Sequence, residues 1–182
     1  ADTVGFCDAS LVEATDSLPC MSSGAFSLSG TVAVSGSSSF GELACSYTAE
    51  AKTLHLLLRA LLDAVRTRPS TVSIFLDSQS CLSALASGPG ASKDALITGI
   101  WETIFSVLAT GATLTLAFVF GHVGFAPHDA VDEQARAALN TAPPSQVWWR
   151  DAARPQIRRL LQRTVDARPF TWWRENQGLT RA

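Results

Sequence analysis

The sequence predicts an α/β fold in which one mixed sheet is flanked by helices. Three observations carry this expectation. The stretch Thr71 to Leu76 is a short apolar run, rich in β-branched residues, that ends at Asp77, which suits a strand buried on both faces. Between Thr48 and Arg68, residues Ala51, Leu54, Leu57, Leu58, Leu61, Leu62 and Val65 recur at three- and four-residue spacing, as in a helix with one buried face. The elements also follow one another as three strands, a helix, a strand, two helices, a strand and a helix, the order of a layered α/β domain.

Taken in order, Val4 to Cys7 is the first strand, followed by Asp8, Ala9 and Ser10. Glu13 to Ser23 holds Pro19 and reads as a loop. Ala25 to Val34 and Phe40 to Tyr47 alternate apolar with small residues and read as two further strands of an antiparallel meander, separated by Gly36 to Ser39. Thr48 is the expected cap of the long helix and Pro69 its stop, with Glu50 in the first turn, where an acid complements the macrodipole. Ser78 to Ala86 reads as a short helix stopped by Gly88-Pro89-Gly90, and Asp94 to Ala109 as a longer one closed by Gly111. Thr113 to Phe120 is the last strand. It runs into the glycine-flanked loop Gly121-His122-Val123-Gly124, and Pro127 to Asn140 is the last helix, with Asp132 among its apolar positions.

A chain of 182 residues with 47% hydrophobic and 16% charged residues suits one folded domain plus an extension, expected here as residues 1–142 and 143–182. No apolar run is long enough to span a bilayer and the N-terminus does not resemble a signal peptide, so a soluble intracellular protein, nuclear or cytoplasmic, is expected, with no membrane partner. From Thr141 onward eight Arg face three acids, a net +5 that leaves −7 on the preceding residues out of a total of −2. Cys7, Cys20, Cys45 and Cys81 are scattered without a C-x-x-C pair, which argues against a zinc site and for reduced, buried thiols.

Acids fall at the end of the first strand (Asp8), the start of the first helix (Glu50), the end of the fourth strand (Asp77) and within the last helix (Asp132). The C-terminal edge of strands is where open α/β sheets bind ligands. Asp is also a preferred helix N-cap, and Ser78-Gln79-Ser80 ahead of Cys81 and Leu82 is a helix start, so both roles stand open for Asp77. An Asp close to a packing face, as at 132, needs a partner, because buried charges are otherwise costly.

Phe6-Cys7-Asp8-Ala9-Ser10, Tyr47-Thr48-Ala49-Glu50-Ala51 with the leucine-rich helix behind it, Phe75-Leu76-Asp77-Ser78-Gln79, and Phe120-Gly121-His122-Val123-Gly124 followed by Asp129-Ala130-Val131-Asp132 together resemble a ribonuclease H domain over residues 4–140. The resemblance implies a five-stranded mixed sheet of strand order 3-2-1-4-5 and a two-metal-ion endonuclease that cuts the RNA strand of RNA/DNA hybrids. It implies that Asp8, Glu50, Asp77 and Asp132 hold two Mg²⁺ or Mn²⁺ ions and that His122 lies on a mobile loop beside the product side. It further implies that Gln79 approaches the substrate minor groove; Ser10 and Ser78 are short polar groups able to join it in contacting the 2′-hydroxyls. Hard oxygen donors are what such cations require.

The chain departs from the family where Ala9 replaces a glycine, adding a methyl where phosphate approaches, and where Pro127-His128-Asp129 replaces glycine-asparagine-glutamate. A basic protrusion used by some members to grip the hybrid is absent, since Ser87 to Asp94 holds only Lys93. Beyond the Pro-rich linker at 141–145, residues 151–166 form an amphipathic basic stripe flanked by Trp148-Trp149 and Trp172-Trp173, suited to docking on a neighbouring domain or to gripping nucleic acid. The start at Ala1 and this tail are those expected of a domain cut from a longer chain, for which the resemblance implies a retrotransposon polyprotein containing a reverse transcriptase. Two alternatives remain: a catalytically silent domain of this fold serving as a structural or interaction module, and a related nuclease such as a transposase or exonuclease, against which the helical position of Glu50 argues.

Overall fold

The computed structural model describes residues 2–12, 21–41, 45–65, 70–91, 94–121 and 123–141. The elements in chain order are β1 (Thr3–Val12), β2 (Met21–Gly30), β3 (Val34–Gly41), α1 (Ser46–Val65), β4 (Thr71–Leu76), α2 (Gln79–Ala86), α3 (Ala95–Ala109), β5 (Thr113–Phe118) and α4 (Ala126–Ala138). The five strands form one sheet in the order β3-β2-β1-β4-β5, in which the pairs β3–β2 and β2–β1 are antiparallel and the pairs β1–β4 and β4–β5 parallel. This is the mixed sheet expected from the order of elements, in the strand order that the family resemblance implies. The linker and basic tail of residues 143–182 lie outside the described residues.

The two faces of the sheet are covered unequally. On one, α1 lays Leu54, Leu57, Leu58 and Leu61, all fully buried, against Cys7, Leu28, Val72, Ile74 and Leu76, and α3 closes the layer with Ile97, Ile100 and Val107. His55 on α1 joins Thr103 Oγ1 on α3 at 3.0 Å, so that the helix pair also holds a polar contact. On the other face, among the described residues, α4 is the helix that packs, setting Val131 and Ala135 on Phe6 and Ala25. Alternation along a strand therefore sends Gly5, Cys7 and Ala9 toward α1, and Phe6 and Asp8 toward α4.

Three expectations are corrected. The third strand lies at Val34–Gly41 and not at 40–47. Gly36 to Ser39 is part of it, paired to Phe26, Ala25, Gly24 and Ser23 of β2, because small residues on an edge strand keep the extended backbone when the neighbour supplies the hydrogen bonds. The long helix starts at Ser46, so Tyr47 is helical and Glu50 stands one turn inside the helix, 7% exposed, where it cannot serve as a solvated first-turn acid. Finally, β1 runs on to Val12 against β2, which makes Asp8 a mid-strand residue; only the pairing of β1 with β4 stops at Phe6. Gly88 and Gly111, at φ of 94° and 88°, end α2 and α3 in the left-handed conformation that glycine adopts without strain.

Candidate functional site

β1 and β4 run parallel with Phe6 opposite Phe75. Two residues further along each strand the same register sets Asp8 beside Asp77, at the point where their pairing opens. Asp77 does not cap α2: Ser78 does, its hydroxyl accepting from the Cys81 amide at 3.4 Å. The Asp77 carboxylate is thereby free of a capping role, and it faces Gly121 so closely that a Cβ built there would stand 2.4 Å from Asp77 Oδ2.

Glu50 reaches the same place from α1. It lines an open cleft of about 520 Å³ with Asp77, Ser46, Ser78, Gln79 and Phe118, and its Oε2 is buried with no hydrogen-bond partner. The backbone amide of Ala9 donates to Asp8 Oδ1 at 2.7 Å and also favours the Glu50 carboxylate. Burial, followed by the charges of Asp8 and Asp77, pushes Glu50 up to about 9. Burial and the Asp77 charge raise Asp8 to about 7 against the pull of the Ala9 amide, with Asp132 adding to the rise and Arg136 opposing it. Two carboxyls so displaced mark a crowded, desolvated place in which the charged forms of both are disfavoured.

Asp132, also buried, sits on α4 near Asp8, but its Oδ2 is bound to Arg136 Nη2 at 2.7 Å across one helical turn. The residue that α4 brings closest to the two strand acids is His128. Donor atoms of Asp8, Asp77 and His128 lie within 4.8 Å of one another, and His128 Nδ1 is 3.8 Å from Asp8 Oδ2. His128 is not among the site residues expected from the sequence. The signal was present: His128, Val131, Asp132 and Ala135 form the i, i+3, i+4, i+7 stripe that α4 buries.

The remaining expected site residues are placed as follows. Ser10 lies half-buried on β1, opposite Ser23. Ser78 spends its hydroxyl on the α2 cap, and Gln79 is exposed on the rim of the cleft. His122 lies outside the described residues. Cys7, Cys45 and Cys81 are free thiols, with Cys7 and Cys81 fully buried as expected, whereas Cys20 is outside the described residues. No helix among the described residues is long and apolar enough to cross a membrane.

Neither a protein-family model nor the sequence of a curated protein matches the chain. Solved structures do match it. RNase H1 from the halophilic archaeon Halobacterium salinarum superposes with a TM-score of 0.52 at 19% identity, over 77% of this chain and 98% of that one. A foamy viral protease-reverse transcriptase in complex with dsDNA superposes with a TM-score of 0.57 at 15% identity, over 78% of this chain and 96% of that one.

Proposed function

We propose that this chain, a ribonuclease H-like domain by its fold, is a divalent-cation-dependent endonuclease that hydrolyses the RNA strand of RNA/DNA hybrids. The observation that carries the proposal is the meeting of Asp8, Asp77 and Glu50 at the opening between β1 and β4, with a buried Glu50 oxygen that no protein group satisfies. Buried like charges without a counter-charge are costly, and hard oxygen donors arranged around a cleft fit Mg²⁺ or Mn²⁺.

Asp8, Glu50 and Asp77 would hold two such ions, with Asp132 joining them if it parts from Arg136. The bound pair supplies a polarised phosphate, an activated water and stabilisation of the leaving 3′ oxygen. The protein's own contribution is position. The Ala9 amide fixes the Asp8 carboxylate, the Ser78 cap holds the start of α2, and Gln79 on the cleft rim presents an amide able to meet a 2′-hydroxyl in the wide minor groove. His122, flanked by Gly121 and Val123, is assigned a proton-carrying or product-releasing role on the strength of its imidazole, which titrates near neutrality when unperturbed.

A reverse-transcriptase polyprotein of retrotransposon type is proposed as the parent, on the support of the structural likeness to a protein that is itself a protease-reverse transcriptase. The Trp- and Arg-rich segment 143–182 is then the surface that docks on a neighbouring domain. The Asp132–Arg136 ion pair favours a second reading, a silent domain kept for assembly.

Incubation with Mg²⁺ and a hybrid carrying end-labelled RNA decides between them. Cleavage of the RNA strand in the hybrid is expected, with single-stranded RNA and duplex DNA left intact and with Asp77→Asn inactive. Undiminished cleavage by Asp77→Asn would refute the assignment.

A further inference from the structure

Beside the carboxylates that the resemblance implies, the structure brings a further group up to Asp8. From α4 the group that comes within reach of both strand acids is an imidazole. His128 is 1% exposed in the first turn of α4, and Pro127 beside it pre-sets the backbone of that turn. Its Nδ1 stands 3.8 Å from Asp8 Oδ2, too far for a hydrogen bond, and its Nε2 is buried without a partner. A buried imidazole nitrogen left without a partner is costly. Glu50 Oε2, in the adjoining cleft, is left in the same condition. Two buried polar atoms without partners, on different helices beside the strand carboxylates, point to a cation site and not to an internal pair.

The spacing agrees. A dication about 2.1 Å from each donor sets neighbouring donors roughly 3–4 Å apart, and the Asp8–His128 separation already falls in that range. Asp132, four residues further along the same buried stripe, carries its bond to Arg136, so His128 stands in the position from which α4 can add a donor.

We propose that His128 is a cation ligand, and that with Asp8 and Asp77 it forms a mixed nitrogen–oxygen site selective for a first-row transition dication over Mg²⁺. Carboxylates alone suit Mg²⁺, whereas an imidazole nitrogen adds affinity for Mn²⁺, Co²⁺ or Zn²⁺ and none of consequence for Mg²⁺. The inference rests on the reading of this cleft as a cation site but not on hybrid cleavage, and its test does not use activity.

The full chain is titrated with Mn²⁺ and examined by pulsed electron paramagnetic resonance, and Co²⁺ and Mg²⁺ affinities are measured by calorimetry, for the unaltered protein and for His128→Asn. Nitrogen modulation on bound Mn²⁺ is expected in the unaltered protein and its loss in His128→Asn. Co²⁺ affinity should fall at least tenfold in that variant and Mg²⁺ affinity by less than twofold. The unaltered protein alone already tests the idea if His128→Asn fails to fold, because Mn²⁺ bound without nitrogen modulation overturns it. Equal weakening of Co²⁺ and Mg²⁺ by His128→Asn also overturns it, as expected of a residue that only supports Asp8. Binding of all three cations unaffected by Asp77→Asn would remove both this inference and the cation site beneath it. Nitrogen-ligated Mn²⁺ in a protein that cuts no hybrid would leave the inference standing and remove the proposed activity.

Discussion

Replacing Asp77 by Asn removes one charge from the crowded edge of the sheet while keeping the shape of the side chain. Donor oxygens of Asp8 and Asp77 lie within 4.8 Å; at that distance two like charges repel by about 3.5 kcal/mol at an effective dielectric of ~20 and about 0.9 kcal/mol in bulk water. Asp77 is half-buried beside an open cleft, so a gain of about 1–3 kcal/mol lies between these limits. For a domain of this size that corresponds to a rise in Tm of roughly 3–9 °C. The gain depends on pH. Asp8 is raised to about 7 and Glu50 to about 9, by burial first and neighbouring carboxylates second. The folded protein therefore holds protons that the unfolded chain has released. Their stabilising effect is complete below the unfolded pKa values near 4 and is lost as pH rises through 7 for Asp8 and toward 9 for Glu50. At pH 5 Asp8 is protonated and the Asp77→Asn gain is small; at pH 8 Asp8 is ionised and the gain is full. Thermal melts of both proteins in chelator at the two pH values measure this. A Tm increment equal at pH 5 and pH 8, or none at pH 8, refutes the account of mutual repulsion.

Two further substitutions separate position from stability. Gly121→Ala puts a Cβ 2.4 Å from Asp77 Oδ2, so the carboxylate must turn away; hybrid cleavage is expected to fall at least tenfold with Tm little changed, as steady-state rates and melts on one preparation would show. Ser78→Ala removes the α2 cap, with an expected loss of about 1 kcal/mol in urea unfolding.

Much of this arrangement was legible in the residues. Periodicity located α1 and α3 because each buries a leucine- or isoleucine-rich stripe, and the apolar run into Asp77 located β4. What escaped did so for physical reasons. The serine- and glycine-rich stretch at 35–39 has weak strand propensity, and it is extended only because β2 provides the partner. Asp77 could have been a cap or a ligand until Ser78 was seen to make the cap, a choice between adjacent residues that propensity does not settle. Glu50 reads as a surface acid because Thr48 has the residue type of a helix cap, whereas the helix starts at Ser46. His128 was legible as a departure from the family pattern and as part of the stripe buried by α4, yet its approach to Asp8 is a contact across 120 positions that no local pattern encodes.

The exchange of glycine for Ala9 looks at first like an obstacle to phosphate, but the register argues otherwise. Ala9 pairs with Gly24, and residues directly opposite in an antiparallel pair share a face. A Cβ at Gly24 would run into Thr53 of α1, so this face is the α1 face. The Ala9 methyl thus lies on the side of the sheet away from Asp8, and the backbone amide that fixes Asp8 Oδ1 is one that alanine supplies as well as glycine. What opposes a phosphate at this edge is charge, not the added methyl: three carboxylates gathered on a body of net −7. If the proposed activity is correct, cation binding must come before the hybrid can approach, so hybrid affinity itself should depend on the dication.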